Sequence, residues 1–281
     1  MKIISSAPTR LSLFGGGTDV PPFCWENGGM TINLAIDKRT VVTIDNGKLS
    51  FTHGGGAGLG GSGSLLVALL GALKKYGGLE IDKLEIAKEA FEIEFNQWQY
   101  YGGWQDQFAA SFGGFNFLTS NNKKEILIKQ FPQELVNDFL PWMVLFDTGI
   151  RRESGKIQHG FIKTSKEQLR ALNGLKKVAR IAEYMLFNKR YRDLGDLLDI
   201  TWELKKKSNN VTNEIIDDIY DKGKRLGAFG GKIMGAGQGG HFLFIVRPIE
   251  REYFIKQMEI YGVKHVPFLP DFTGLEVKFA V

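Results

Sequence analysis

Residues 54–64 read GGGAGLGGSGS, and LLVALLGALKKYG follows without a break. Seven of these eleven residues are glycine, set between a short β-like run, Lys48–Thr52, and a strongly apolar helical stretch. Glycine costs backbone entropy on folding and adds nothing to a core, so the cluster must serve something bare backbone can do. Such a backbone can curl tightly and aim its N–H groups at an anion. The helix opening near Ser64 adds unpaired N–H groups and the positive end of its dipole. Strand, glycine loop and helix N-terminus together make a phosphate cradle. The alternative is a flexible surface linker, but Gly/Ser linkers seldom run straight into an apolar helix.

The whole chain narrows the function classes. Its 281 residues suffice for two modest domains or one large one, and 43% hydrophobic with 24% charged residues is the composition of a globular protein. No apolar run is long enough to span a bilayer, and MKIISSAPTR lacks an apolar signal core, so no membrane partner is expected. Cys24 is the only cysteine, which rules out an intrachain disulfide and leads us to expect a cytoplasmic setting. His53, His159, His241 and His265 are scattered without zinc-ligand spacing. Lys and Arg outnumber Asp and Glu 36 to 31, which suits an anionic small molecule. No basic stripe alternates with aromatics, so no nucleic acid is expected. The densest basic cluster, Lys205-Lys206-Lys207, reads as a solvated helix face.

Along the chain, Ile3–Leu13 reads as a strand leading into FGGGTD, Phe14–Asp19. Met30–Ile36 and Arg39–Ile44 read as two paired strands, and Asn46-Gly47 as a hairpin turn into Lys48–Thr52. A helix is expected over Leu65–Tyr76, and another from Asp82 with Glu85 three residues on, a capping-box pattern. On that second helix Leu84, Ala87, Phe91 and Trp98 mark the apolar face, and Glu94 falls among them. A carboxylate facing inward needs a partner. In GGWQDQFAASFGGF two glycine pairs bracket a short helix with Asp106 in its first turn, where an Asp also simply matches the dipole. Asn116–Leu118 and Glu125–Gln130 form a hairpin, and Trp142–Phe146 a buried strand. Helices are expected from about Glu153 to Ser208, over Thr212–Leu226 and over Glu250–Tyr261. Gly227–Val246 gives strand, glycine turn and strand, and Val263–Phe268 and Leu275–Val281 close the chain as strands. The second half is thus α+β.

The loop is not a Walker A motif, having no Gly-Lys-Ser/Thr and no lysine. Gly58, Gly60 and Gly63 fit G-x-G-x-x-G, with Glu80 or Asp82 near the ribose-binding distance, as in a dinucleotide oxidoreductase. An antiparallel opening disagrees with a parallel doubly wound sheet. Three segments together give a better account: APTRLSLFGGGTD (Ala7–Asp19), GAGLGGSGS (Gly56–Ser64) and GGKIMGAGQGG (Gly230–Gly240). Their order resembles the three motifs of the GHMP kinases. GGWQDQFAASFGGFNF and LFDTGIRRES extend the resemblance, which is nearest the D-glycero-D-manno-heptose 7-phosphate kinase branch with its GGGTD, GGxQDQ and TGxxR.

The resemblance implies a two-domain α+β fold. An N-terminal domain, 1–140, would hold a mixed sheet with helices, and a C-terminal domain, 141–281, a ferredoxin-like α/β sandwich. It implies an ATP-dependent sugar kinase acting on a heptose 7-phosphate or related sugar, through its anomeric hydroxyl, with Mg²⁺ as cofactor. A homodimer is compatible with it. The loop Gly56, Ala57, Gly58, Leu59, Gly60, Gly61, Ser62, Gly63 and Ser64 would wrap the ATP phosphates. Ser62 and Glu94 would hold Mg²⁺, a hard cation that takes oxygen ligands. Asp106 matches the base that takes the proton of the attacking hydroxyl, and Arg10 an arginine beside it. Gly16, Gly17, Thr18, Asp19 and Gly103, with Gly235 and Gly237 of the third motif, would surround the sugar, and Arg151 would either meet a substrate phosphate or stand as a solvated arginine at a helix start. Two departures stand out. Gly61 replaces a customary serine, and only Asp45–His53 lies where the family carries a long segment contributing to the adenine pocket. Gln238 also replaces a glycine. The short segment keeps open a kinase-like protein that binds sugar phosphate without turnover.

Overall fold

The computed structural model describes residues 2–99, 101–151, 165–208 and 211–280. Strand β1 (Lys2–Phe14) pairs antiparallel with β2 (Met30–Asp45), a single strand in place of the two expected, with register shifts between Pro8 and Thr9 and between Ser12 and Phe14. Those shifts let one strand bend around the core and supply the break that the sequence shows between Ile36 and Arg39. Asn46 and Gly47 both adopt positive φ, 47° and 77°, the hairpin geometry that returns the chain as β3 (Lys48–Thr52). Beyond β2 lie β4 (Phe115–Ser120) and β5 (Ile126–Gln130), the second expected hairpin.

Helix α1 (Gly61–Tyr76) starts four residues before the expected Leu65, so the last part of the glycine stretch is already its first turn. Helix α2 (Lys83–Glu92) is capped by Asp82, whose carboxylate accepts from the N–H groups of Leu84 and Glu85. A wider, π-type turn over Ile93–Gln97 follows and shifts the face: Leu84 and Trp98 are exposed, while Ala87, Phe91 and Glu94 are buried. Helix α3 (Gln105–Phe112) is the short helix between the glycine pairs. These three helices cover one face of the first sheet, where Ile3, Val42, Leu66, Val67, Leu70 and Ile86 pack together.

After α4 (Gln133–Phe139), strand β6 (Met143–Asp147) opens the second sheet. Helices α5 (Lys166–Phe187), α6 (Tyr191–Ser208) and α7 (Glu214–Arg225) precede the hairpin β7 (Gly230–Ile233) and β8 (His241–Ile245). Helix α8 (Arg251–Tyr261) and the two-residue β9 (Lys264–His265) follow. The part of the expected helical run between residues 152 and 164 lies outside the described residues. The sheet order β7-β8-β6-β9, all antiparallel, is the split βαβ arrangement of a ferredoxin-like sandwich. Apart from Asp147 and His241 at one end, strands β6 and β8 are apolar because both faces are covered. Phe242 and Phe244 pack toward α7 and α8, and Leu243 and Ile245 toward the first sheet.

Two expectations need correction. The first sheet is not mixed: every described pairing in it is antiparallel, which also removes the doubly wound dinucleotide fold. The last strand, β10 (Glu276–Ala280), leaves the second half and pairs with β1, from Lys2 opposite Ala280 to Ser6 opposite Glu276. Arg39 holds this return, bonding the Asp271 carboxylate, the Gly274 carbonyl at 2.7 Å and the Ser6 carbonyl at 2.9 Å. One hydrophobic cluster runs from Leu11, Leu34 and Phe115 of the first sheet through Ala182 and Leu198 to Leu145 and Leu243 of the second. The site lies where the halves meet.

Candidate active site

The geometry of the glycine loop follows from its close contacts with Asp106 and Arg10. Gly60 adopts φ +75°, and a Cβ there would stand 3.0 Å from Asp106 Oδ2, so only glycine lets the loop enter α1 against that carboxylate. Arg10, 5% exposed, donates to Asp106 Oδ1 from Nε at 2.7 Å and from Nη2 at 2.6 Å, and to the Gly58 carbonyl at 2.8 Å. The Arg10 N–H also donates to the Leu59 carbonyl, 2.9 Å away. Strand β1 thus ties the loop and α3 together through one arginine.

Two cavities meet at this point. The loop-side cavity is lined by His53, Gly55–Gly58, Gly60, Gly61, Ser62 and Leu65. The other is lined by Gly16, Gly17, Asp19, Gly103, Gln105 and Lys205. Arg10, Asp106, Gly235 and Ala236 line both. The structure therefore brings together most of the expected residues, but not all in the expected way. The Leu59 side chain is buried, and the Ser64 hydroxyl donates to the Ala7 carbonyl at 2.7 Å, so both side chains serve packing. A Cβ on Gly63 would stand 2.8 Å from that of Asp106, which makes Gly63 a packing position as well. Thr18 is fully buried, its hydroxyl engaged with Gly15 and Met30 rather than facing the cavity. Gly237 packs on Val211. Arg151 stands away from both cavities and pairs bidentately with Asp147 at 2.8 and 2.7 Å, which holds the Asp147 carboxyl down at about 2.

Asp19 is buried and accepts from the N–H groups of Gly17 at 2.9 Å and Gln105 at 3.3 Å. Burial, and then the nearby Asp106 charge, push its pKa up. A Cβ on Gly103 would stand 1.8 Å from Asp19 Oδ2, so the glycine pair is what lets that carboxylate lie against the backbone. Glu94 is 4% exposed, and burial raises its pKa to about 7 against the bonds it accepts from Ser62 and Gln107.

Several residues of the site escaped the sequence reading. Gln107 is buried and donates from Nε2 to Glu94. His241, on β8, reaches under the loop with Nδ1 2.9 Å from the Ala57 carbonyl; only the Nδ1-protonated ring can make that bond. Lys232, on β7, is fully buried and donates to the Ser12 carbonyl at 2.5 Å, with its pKa driven well down by burial. Lys205 contradicts the solvated-face reading: it is 7% exposed and donates to the Gly235 carbonyl at 2.7 Å. Its signal was helical spacing, since Leu198, Thr201, Trp202 and Lys205 recur at steps of three and four along α6 and are all buried. Lys206 and Lys207 fall off that face.

Known proteins share this fold. Residues 48–114 match the GHMP kinases N terminal domain and residues 178–263 the GHMP kinases C terminal domain, together more than half the chain. The D-glycero-alpha-D-manno-heptose 7-phosphate kinase of Campylobacter jejuni is 29% identical over 97% of this chain and 97% of its own. That alignment spans 332 positions against 281 residues here, so the relative carries insertions that this chain lacks. The crystal structure of a D-glycero-D-manno-heptose 1-phosphate kinase from Bacteroides thetaiotaomicron superposes with a TM-score of 0.81, covering 99% of both chains at 22% identity, and shows the same fold. A putative sugar kinase from Campylobacter jejuni gives 0.73 at 26% identity, over 99% of this chain and 98% of its own. Both domain models in order, and a relative aligned from end to end, show that the chain belongs to the GHMP kinases and is an ATP-dependent small-molecule kinase.

Proposed function

We propose that this kinase transfers the γ-phosphoryl group of ATP to a hydroxyl, the anomeric one, of a heptose 7-phosphate or a related sugar phosphate. The observation that carries the reading is the junction of the two cavities at Asp106 and Arg10. A nucleotide on the glycine loop and a sugar beside Asp19 would meet there. The end-to-end similarity to a heptose 7-phosphate kinase supports the acceptor class.

Arg10 binds Asp106 through Oδ1 alone, which leaves Oδ2, beside Gly60, to take the acceptor proton. As the hydroxyl oxygen bonds to phosphorus, its proton passes to Asp106 and the bridging oxygen leaves with ADP. Arg10 holds Asp106 in place and offsets charge that builds on the transferring group. Asp19, fixed by two backbone N–H groups, orients sugar hydroxyls.

Ser62 and Glu94 fit a Mg²⁺ ion, since their oxygens lie within hydrogen-bond reach of each other and Glu94 is otherwise a carboxylate buried at cost. No group of three or more His, Cys, Asp or Glu among the described residues could hold a metal, so nucleotide oxygens and water would complete the shell. Bound there, the ion would neutralise phosphate charge. Gln107 holds the Glu94 carboxylate in place from α3.

With only β3 before the loop, the base has no enclosing segment, and we place it against His53 and Leu65 at the edge of the loop-side cavity. In the same reading residues 1–140 with β10 form the nucleotide lobe and the remainder the lobe that closes over the sugar. Phosphorus NMR of the product tests the acceptor assignment. A new sugar phosphate signal coupled to the anomeric proton is expected; a signal coupled only to other sugar protons would refute it.

A further inference from the structure

Two buried basic side chains, Arg10 and Lys205, line the acceptor cavity, and a third, Lys232, lies near them. Arg10, Lys205 and Lys232 are respectively 5%, 7% and 1% exposed. They stand close enough that the charges of Lys205 and Arg10 both disfavour the protonated form of Lys232. Removing a cation from water is costly, and α6 could have placed any apolar residue at position 205. Instead the register of α6 turns this lysine inward, while the neighbouring Lys206 faces the Trp202 and Tyr220 rings.

Cavity membership gives the direction. Arg10, Asp106 and Gly235 line both cavities and mark the junction where transfer would occur. Lys205 lines the acceptor cavity together with Asp19, and takes no part in the loop-side wall. Arg151, the residue the sequence suggested for a substrate phosphate, is committed to Asp147 outside the cavity.

We propose that Lys205 binds a phosphate carried by the acceptor, and that it sets the preference for phosphorylated over unphosphorylated sugars. The proposal rests on the kinase reading of the site and names the acceptor's charge. Lys205 acts in ground-state binding, as a point charge at the cavity wall held by the Gly235 carbonyl. It does not take the proton in transfer.

The test compares wild type with Lys205→Met and Lys205→Arg on matched acceptors, heptose 7-phosphate and the free heptose. The expected result for Lys205→Met is a rise of at least tenfold in KM for the phosphorylated acceptor. KM for ATP should hold steady, and preference for the phosphorylated sugar should collapse toward unity. Lys205→Arg, which keeps the charge, should retain part of that preference. Inorganic phosphate should compete with the acceptor in wild type and lose at least tenfold in potency in Lys205→Met. A rise confined to KM for ATP would put the lysine on the γ-phosphoryl group and overturn the proposal. Unchanged acceptor KM and unchanged preference would overturn it too. A wild type that turns over neither sugar would instead refute the acceptor class, a separate outcome. Should Lys205→Met fail to fold, Lys205→Gln with the phosphate competition gives the same readout.

Discussion

Glu94→Gln should stabilise the nucleotide-free protein while removing its activity. Glu94 is buried, and its pKa stands at about 7 against an ordinary 4.5, chiefly because burial penalises the charged form, with the Asp106 charge adding to it. Between those two values the folded state holds a proton that the unfolded chain has already lost. Stability from this residue is therefore full below 4.5, falls as pH rises through the window and is flat above 7. At 1.36 kcal/mol per unit the ionised, metal-free carboxylate costs about 3 kcal/mol at pH 8. Glutamine keeps an oxygen for the Gln107 amide and does not titrate. Urea unfolding without Mg²⁺ or nucleotide should show the Glu94→Gln variant and wild type about equal near pH 5, with the variant more stable by up to about 3 kcal/mol at pH 8. Comparing the two cancels the parallel titration of Asp19, which burial also raises. A stability difference that does not change between pH 5 and 8, or a variant less stable at pH 8, would refute the reasoning.

Asp106→Asn should fold but melt at a lower temperature, because buried Arg10 loses its counter-charge, and should cut kcat by roughly 10²–10⁴-fold, measured by coupled ADP release. Gly61→Ser should be tolerated, because a Cβ there meets nothing within 4 Å, and should lower KM for ATP if its hydroxyl reaches a phosphate. Gly103→Ala should raise acceptor KM at least tenfold and lower the melting temperature, since its methyl would displace the Asp19 carboxylate at 1.8 Å. With the base leaning on His53 and Leu65 in place of an enclosed pocket, GTP should approach ATP in kcat/KM to within about tenfold, a ratio read from initial rates.

Motif order carried most of the fold. Three glycine segments and alternating strands were legible because each is local chemistry: turn geometry, capping, apolar period. What the sequence hid was long-range. The return of β10 to β1 depends on Arg39 gathering Asp271 and Gly274, more than 230 positions away, which no window reveals. The merging of two expected strands into β2 followed from register shifts that only the pairing with β1 exposes. In the site, Glu94 could be found because helical spacing set a charge on an apolar face. The same reasoning applied to α6 finds Lys205, but a run of three lysines looks alike until the face is counted. Lys232 and His241 carry no such mark, because β7 and β8 bury both faces and a polar residue there has no alternation to break. Arg151 is the opposite case: an arginine in a suggestive motif pairs with a carboxylate four residues away.

The central claim is phosphoryl transfer to a sugar at the junction of the two cavities. Purified protein incubated with ATP, Mg²⁺ and a panel of sugars and sugar phosphates tests it most directly. The account predicts ADP release that depends on the sugar, is greatest with heptose 7-phosphate and matches the phosphorylated product mole for mole. Binding of ATP without sugar-dependent ADP release from any member of the panel would contradict it.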